Sequence, residues 1–157
     1  MKKEFFNLII ELMKNNKDIY FISVGLGWPR TDELKQFGNR YVQTEAAEQT
    51  ALDIAVGIAY SGKIPFVYTI TPFLYRGFET IRTYINYEKL HVCLIGAGRG
   101  DDYSKEDGYT HDATDITEIL GTQRNIQQYY PADSEQMKLS VRDMIKRKGP
   151  SFLSLTR

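Results

Sequence analysis

Cysteine is almost missing from this 157-residue chain; Cys93 stands alone. One thiol excludes an internal disulfide and a thiolate metal cluster, and a lone cysteine in an apolar run reads as core. An excess of either charge is missing too. Twenty basic residues meet 20 acidic ones, for a formal net charge of zero, so nothing draws the chain to nucleic acid or an anionic membrane surface. No apolar run approaches the roughly 18 residues of a membrane helix. The opening MKKEFFNLIIELMKNN has the basic flank of a signal peptide. Glu4, Glu11 and Lys14 interrupt its apolar part, however, and no small-residue cleavage site follows. The expectation is an amphipathic helix in a cytoplasmic protein. There is no repeat, linker or low-complexity tract. What remains is 42% hydrophobic, in a length that suits a single domain, residues 1–157, with a substantial core.

Residues 45–62, EAAEQTALDIAVGIAYSG, organise the rest. Acidic residues open a helix whose Ala51, Leu52, Ile54, Ala55, Val56, Ile58 and Ala59 make it apolar nearly all round, hence buried. A carboxylate at the mouth of a buried helix is costly unless something receives it, which makes Glu48 the candidate working group. Elsewhere, helical spacing predicts a helix over 3–15, a short one after an N-cap at Thr31, and others over 75–87, 116–120 and 137–146, the last after an N-cap at Ser134. Strands are predicted at 18–24, 40–43, 64–70, 91–95, 126–130 and 151–155. GLGWPR, residues 25–30, is a loop, and residues 96–115 form one of about twenty residues, a length usually functional. Six strands alternating with helices argue for a three-layer α/β/α fold around a six-stranded, mainly parallel sheet. Ligands bind such sheets beyond the carboxyl ends of strands. Glu48, residues 73–76 and residues 107–111 fall on that edge.

Two phosphate-binding look-alikes fail. GIAYSGK, residues 57–63, is followed by Ile64 where Ser or Thr should hold magnesium, and it leads from helix to strand, the reverse of a P-loop. GAGRG, residues 96–100, lacks the full glycine spacing of a dinucleotide site and opens no helix.

Three stretches together carry a resemblance: YVQTEAAEQTALDIAVGIAYSGKIPFVYTITPFLYRGFETIR (41–82), EDGYTHDATDI (106–116), and YYPADSEQM with the ending GPSFLSLTR. The AEQ triplet, the GKIPFV run and the DGYTH run within them each occur elsewhere by chance, but their order and intervals are specific. The chain resembles the pyrimidine-binding domain of transketolase-type thiamine diphosphate enzymes. It is also similar to deoxyxylulose phosphate synthase and to the small subunits of split transketolases.

The resemblance implies that Glu48 bonds the N1′ atom of the cofactor's aminopyrimidine and is catalytic, and that Phe73 stacks on that ring. It implies that Arg76 meets a substrate anion, as in deoxyxylulose phosphate synthase, and that Asp107 and His111 of the DGYTH run face substrate hydroxyls and oxygen, with His111 a second catalytic residue. Glu45 matches no family role and reads as a solvated or capping acid. Three positions depart from the family pattern: Asp112 where Gln is usual, Thr50 in place of a histidine, and a first-strand loop without its acidic residue. The chain also lacks a GDG motif followed by a distant Asn. In the family that motif holds magnesium or calcium and the diphosphate. The expectation is therefore a cofactor shared with a diphosphate-binding partner subunit that carries the motif and the metal, in a heterotetramer of two small and two larger subunits, with this chain forming the central dimer or packing on its partner. Alone the chain is expected to be inactive. The implied reaction is transfer of a two-carbon ketol unit between sugars. The alternatives are carboligation of a 2-oxo acid, or a non-catalytic regulatory module.

Overall fold

The computed structural model describes residues 1–25 and 30–157. Short runs of β-branched and aromatic residues form six strands: β1 Ile19–Val24, β2 Tyr41–Thr44, β3 Ile64–Ile70, β4 Cys93–Ala97, β5 Gln127–Tyr129 and β6 Ser151–Leu155. They make one sheet in the order β2-β1-β3-β4-β6-β5. Every neighbouring pair is parallel, so the sheet expected to be mainly parallel is wholly so.

Period-two alternation sorts the strand residues between two cores. Ile19, Phe21, Phe66, Tyr68, Cys93, Ile95, Leu153 and Leu155 face one layer. That layer is α1, Lys2–Asn15, with Phe5, Phe6, Ile9 and Met13, and α7, Ser134–Arg147, with Met137, Val141 and Met144. Ile22, Val24, Val67, Leu94 and Phe152 face the other. There lie α3, Glu48–Tyr60, a helical segment through Ile81 and Ile85, and α6, Ile116–Gly121. Each buried Leu, Ile or Phe contributes about 1.5–3 kcal/mol, so the layered alternation itself sets the strand register. Cys93 is fully buried, and burial pushes its thiol up to about 12.

Several local expectations are corrected. The cap of α7 is Asp133, not Ser134: its carboxylate accepts the Gln136 backbone N–H at 2.8 Å. Thr31 is the first residue of α2, Thr31–Lys35, and Arg30 stands before it in the left-handed region at φ 65°. The helix expected to be apolar nearly all round, and so buried, buries Ala51, Leu52, Ala55 and Val56, while Asp53, Gly57 and Tyr60 are exposed. The helix expected over 75–87 is three joined pieces. A 3₁₀ segment, Thr71–Gly77, leads into α4, Phe78–Thr80, and then a π-helical run, Ile81–Tyr87. The long loop is partly built: it holds α5, Ser104–Asp107, a 3₁₀ turn Tyr109–His111, and an antiparallel bridge between Gly100 and Ala113. β4 starts two residues later than expected and leaves His91 outside it, with Nε2 bonded to the Met144 carbonyl at 2.9 Å. The predicted loop at 25–30 falls largely on residues 26–29, which lie outside the described residues.

Two glycines aim the 3₁₀ segment. A Cβ at Gly96 would collide with the Thr71 hydroxyl and with the Phe152 ring. Its absence lets Thr71 sit against β4, where its hydroxyl donates to the Gly98 carbonyl at 2.5 Å and lies 3.2 Å from the Ala97 carbonyl. At the other end, a Cβ on Gly77 would collide with the Leu52 side chain and come within 3.2 Å of the Gln49 Cα. The bare glycine therefore lets residues 71–77 close onto the first turn of α3.

Candidate functional site

The sheet order reverses direction between β1 and β3: the chain steps from β1 to β2 on one side, then back past β1 to β3 on the other. Parallel α/β sheets open a crevice at such a point, beyond the carboxyl ends of the strands. A cavity of about 180 Å³ lies there, lined by Val24 and Gly25 from the end of β1, Thr69 and Ile70 from the end of β3, and Ala46, Glu48, Phe73 and Arg76. Its wall is mostly apolar, with one carboxylate.

Glu48 is the first residue of α3, and its side chain is 3% exposed. Two features compensate the buried charge. The N–H groups of the α3 N-terminus favour an anion, and among the described residues the N-cap, Ala47, makes no side-chain bond to them. Arg76, 28 residues later, places Nη1 2.9 Å from Oε1 and 3.0 Å from Oε2 of Glu48. The arginine is 49% exposed, so one member of the pair is locked in the wall and the other is half in water. The Arg76 guanidinium also lies over Phe73, with Cζ 3.9 Å from the ring centroid, a cation–π contact. The edge of His111 meets the same ring, with centroids 4.9 Å apart at 62°. Phe73 thus carries Arg76 and His111, and Arg76 reaches Glu48.

A second cavity of about 360 Å³ lies across this partition, and Phe73 and Arg76 line it too, with Pro72, Tyr75, Tyr109, Thr110, Asp112 and Asp115. The Tyr75 hydroxyl donates to Asp115 at 2.5 Å, and burial together with that carboxylate raises its pKa. Asp112 is held as a carboxylate below its ordinary range by the hydroxyl and the backbone N–H of Thr114.

Of the five candidate residues, the fold gathers Glu48, Phe73, Arg76 and His111 into one run of contacts. Asp107, the last residue of α5, is exposed and lines neither cavity. Glu45 is exposed, and its side chain does not cap α3. Sequence reasoning missed the bond between Arg76 and Glu48, because nothing local relates two residues brought together by a sheet crossover. It placed Tyr75 on the binding edge without a role, and it missed Asp112 and Asp115 as cavity wall. The polar run at 106–115 was the available signal for the two aspartates. Among the described residues no group of three or more His, Cys, Asp or Glu is gathered that could hold a metal ion.

Comparison with known proteins follows the same lines. The family described as transketolase, pyrimidine binding domain, matches residues 2–157. One of the subunits of the apulose-4-phosphate transketolase of Phocaeicola vulgatus is 28% identical over 99% of this chain and 51% of its own length. The 6-deoxy-6-sulfo-D-fructose transketolase subunit SqwH of a Clostridium species is 27% identical over 78% of this chain and 38% of its own. A solved structure described as a split gene transketolase, inactive beta4 tetramer, superposes with a TM-score of 0.85 at 27% identity, covering 99% of this chain and 50% of that one. The chain spans about half the length of the Phocaeicola subunit and of the split gene transketolase chain. With its fold, its residues 2–157 and its parallel sheet all matched, the chain belongs to the transketolase pyrimidine-binding domain family.

Proposed function

We propose that residues 1–157 act as a single pyrimidine-binding domain in a thiamine diphosphate-dependent, transketolase-like enzyme. It moves a two-carbon ketol unit between sugars or sugar phosphates. The observation that carries this reading is the buried Glu48 carboxylate opening into an apolar crevice beside an aromatic face. That donor set fits a flat, nitrogen-containing ring: one group to share a proton with a ring nitrogen, one face to stack on, and apolar walls at Val24 and Ile70. Bound thiamine diphosphate would supply the electron sink for cleaving a carbon–carbon bond next to a carbonyl.

The roles of this chain's residues follow from their placement. Glu48 shares a proton with the ring nitrogen from its buried seat at the start of α3. Phe73 fixes the ring's plane. His111, packed against the Phe73 ring, bonds a substrate oxygen, and Asp107 approaches a substrate hydroxyl from α5. Arg76 takes a substrate anion from the second cavity. The metal ion, magnesium or calcium, and the diphosphate are held by a partner subunit carrying the GDG…Asn motif, in an assembly of two copies of each chain. This stands on the relatives, which are transketolase subunits by description, and on the solved split gene transketolase described as inactive in its beta4 form. The chain alone is accordingly inactive, and the working enzyme is cytoplasmic. No helix among the described residues is long and apolar enough to cross a membrane.

The test is co-expression with a diphosphate-binding subunit, followed by assay of ketol transfer. Glu48→Ala should abolish turnover while the assembly still elutes at its full size. Undiminished turnover in that variant would overturn the assignment.

A further inference from the structure

The two groups that a cofactor ring would need are already engaged by one side chain. The Arg76 guanidinium is flat, offers N–H donors to Glu48 at 2.9 and 3.0 Å, and lies on Phe73 at 3.9 Å. A protonated aminopyrimidine would present the same set: a planar π-system, N–H groups for a carboxylate, and a face for an aromatic. We propose that Arg76 is an internal stand-in for the ring, closing the crevice in the ligand-free protein, and that cofactor binding proceeds by displacing it.

This inference rests on the reading of Glu48 and Phe73 as ring-binding groups. Three features of the fold support a displaceable latch. The first is asymmetry: Glu48 is 3% exposed and stays in the wall, whereas Arg76 is 49% exposed and has water beside it to swing into. The second is a destination. Arg76 and Phe73 line both cavities, and the larger one carries Asp112 and Asp115 on its wall. Asp112, where the family pattern has an amide, gives the departing cation a carboxylate to stand near until a substrate anion replaces it. The third is how closely the latch is seated. Gly77, the next residue, is pressed against the first turn of α3 where no Cβ fits, so the chain brings Arg76 to Glu48 at the expense of side-chain packing at the adjacent position.

The latch answers a physical difficulty. A lone carboxylate in an apolar crevice is expensive, and the ligand-free protein must hold one ready. Arg76 compensates it until the ring arrives. Once displaced, its charge becomes available to the second cavity. Capture of a substrate anion by Arg76 is then coupled to prior occupancy of the crevice, which orders the two binding events. The latch also lowers apparent ring affinity, because only the fraction of molecules with Arg76 swung out is competent to bind.

The experiment is calorimetric titration of thiamine diphosphate, with magnesium, into the assembly with the diphosphate-binding subunit. Wild type, Arg76→Met and Glu48→Ala are compared, and each ligand-free assembly is checked for a cooperative thermal transition. Met keeps the length and apolar stem of Arg76 but neither the donors nor the charge. The expected result is tighter binding in Arg76→Met, by about tenfold, and weaker binding in Glu48→Ala. Arg76→Lys, which keeps the charge without the flat donor set, should fall between wild type and Met. If Glu48→Ala weakens binding but Arg76→Met binds no more tightly than wild type, the latch is wrong and the ring reading survives. If Glu48→Ala leaves binding unchanged, both are wrong.

Discussion

Gly77→Ala puts the geometry of the site to a test that needs no ligand. The added methyl would collide with the Leu52 side chain and sit 3.2 Å from the Gln49 Cα. Leu52 is completely buried, so its terminal methyl cannot yield into solvent, and the Gln49 contact is backbone. Either Leu52 leaves its rotamer or residues 71–77 back away from α3 by a few tenths of an ångström. Overpacking of this kind costs about 1–3 kcal/mol. For a domain of this size, each kcal/mol lowers Tm by roughly 2–4 °C. The same displacement stretches the bonds from Arg76 to Glu48, which start at 2.9 and 3.0 Å. Urea unfolding should therefore show a lower midpoint with an unchanged slope. Leu52→Ala removes the obstructing methyls, so the double variant Leu52→Ala with Gly77→Ala should be more stable than the sum of the two single losses, by about 0.5 kcal/mol or more. A Gly77→Ala protein within about 0.5 kcal/mol of wild type, or strict additivity in the double variant, would refute the claim that the bare glycine holds the 3₁₀ segment against α3.

Two further expectations concern the frame around the site. Arg99 donates from Nη2 to the carbonyls of Pro131 and Ser154 at 3.0 and 2.6 Å, and from Nε to the Ser154 hydroxyl at 3.2 Å; Arg99→Met should cost about 1–3 kcal/mol in chemical denaturation, because acceptors among buried residues lose their donor. His91 is half-buried against the Met144 carbonyl, and burial lowers its pKa from the ordinary 6.5. The unfolded chain thus binds a proton that the folded one resists, so His91's contribution is intact above about pH 6.5 and is lost as pH falls through its lowered folded value. Urea midpoints between pH 7.5 and 5 should decline with a His91-dependent slope of at most about 1.4 kcal/mol per pH unit, and His91→Gln should flatten it.

Much of the frame was legible in the residues because it depends on short-range pattern. Six β-rich runs separated by helical spacing gave the strands, and their alternation with helices gave a parallel sheet with helices on both faces. The carboxyl-edge rule then placed Glu48, Phe73 and His111 near one another without coordinates. The misses have specific physical causes. Asp133 outcompeted Ser134 as cap because the extended backbone at Asp133 lets its carboxylate reach the Gln136 N–H. Residues 75–87 carry one helical apolar spacing, yet Thr71 and Gly77 are pinned to β4 and α3, and the segment changes winding to satisfy both. The bond from Arg76 to Glu48 was invisible because it spans a crossover. Asp107 closes the turn of α5 while His111 closes the 3₁₀ turn that follows, so two members of one DGYTH run stand apart and Asp107 lies in solvent.

The most direct measurement is a crystal structure of this chain assembled with a diphosphate-binding subunit and grown with thiamine diphosphate and magnesium. A Glu48 oxygen should lie within hydrogen-bond reach of the ring nitrogen, at about 2.6–3.0 Å, with Phe73 against the ring's face and Arg76 turned away. A ring bound elsewhere, or a Glu48 still paired to Arg76 with the cofactor in place, would contradict the account.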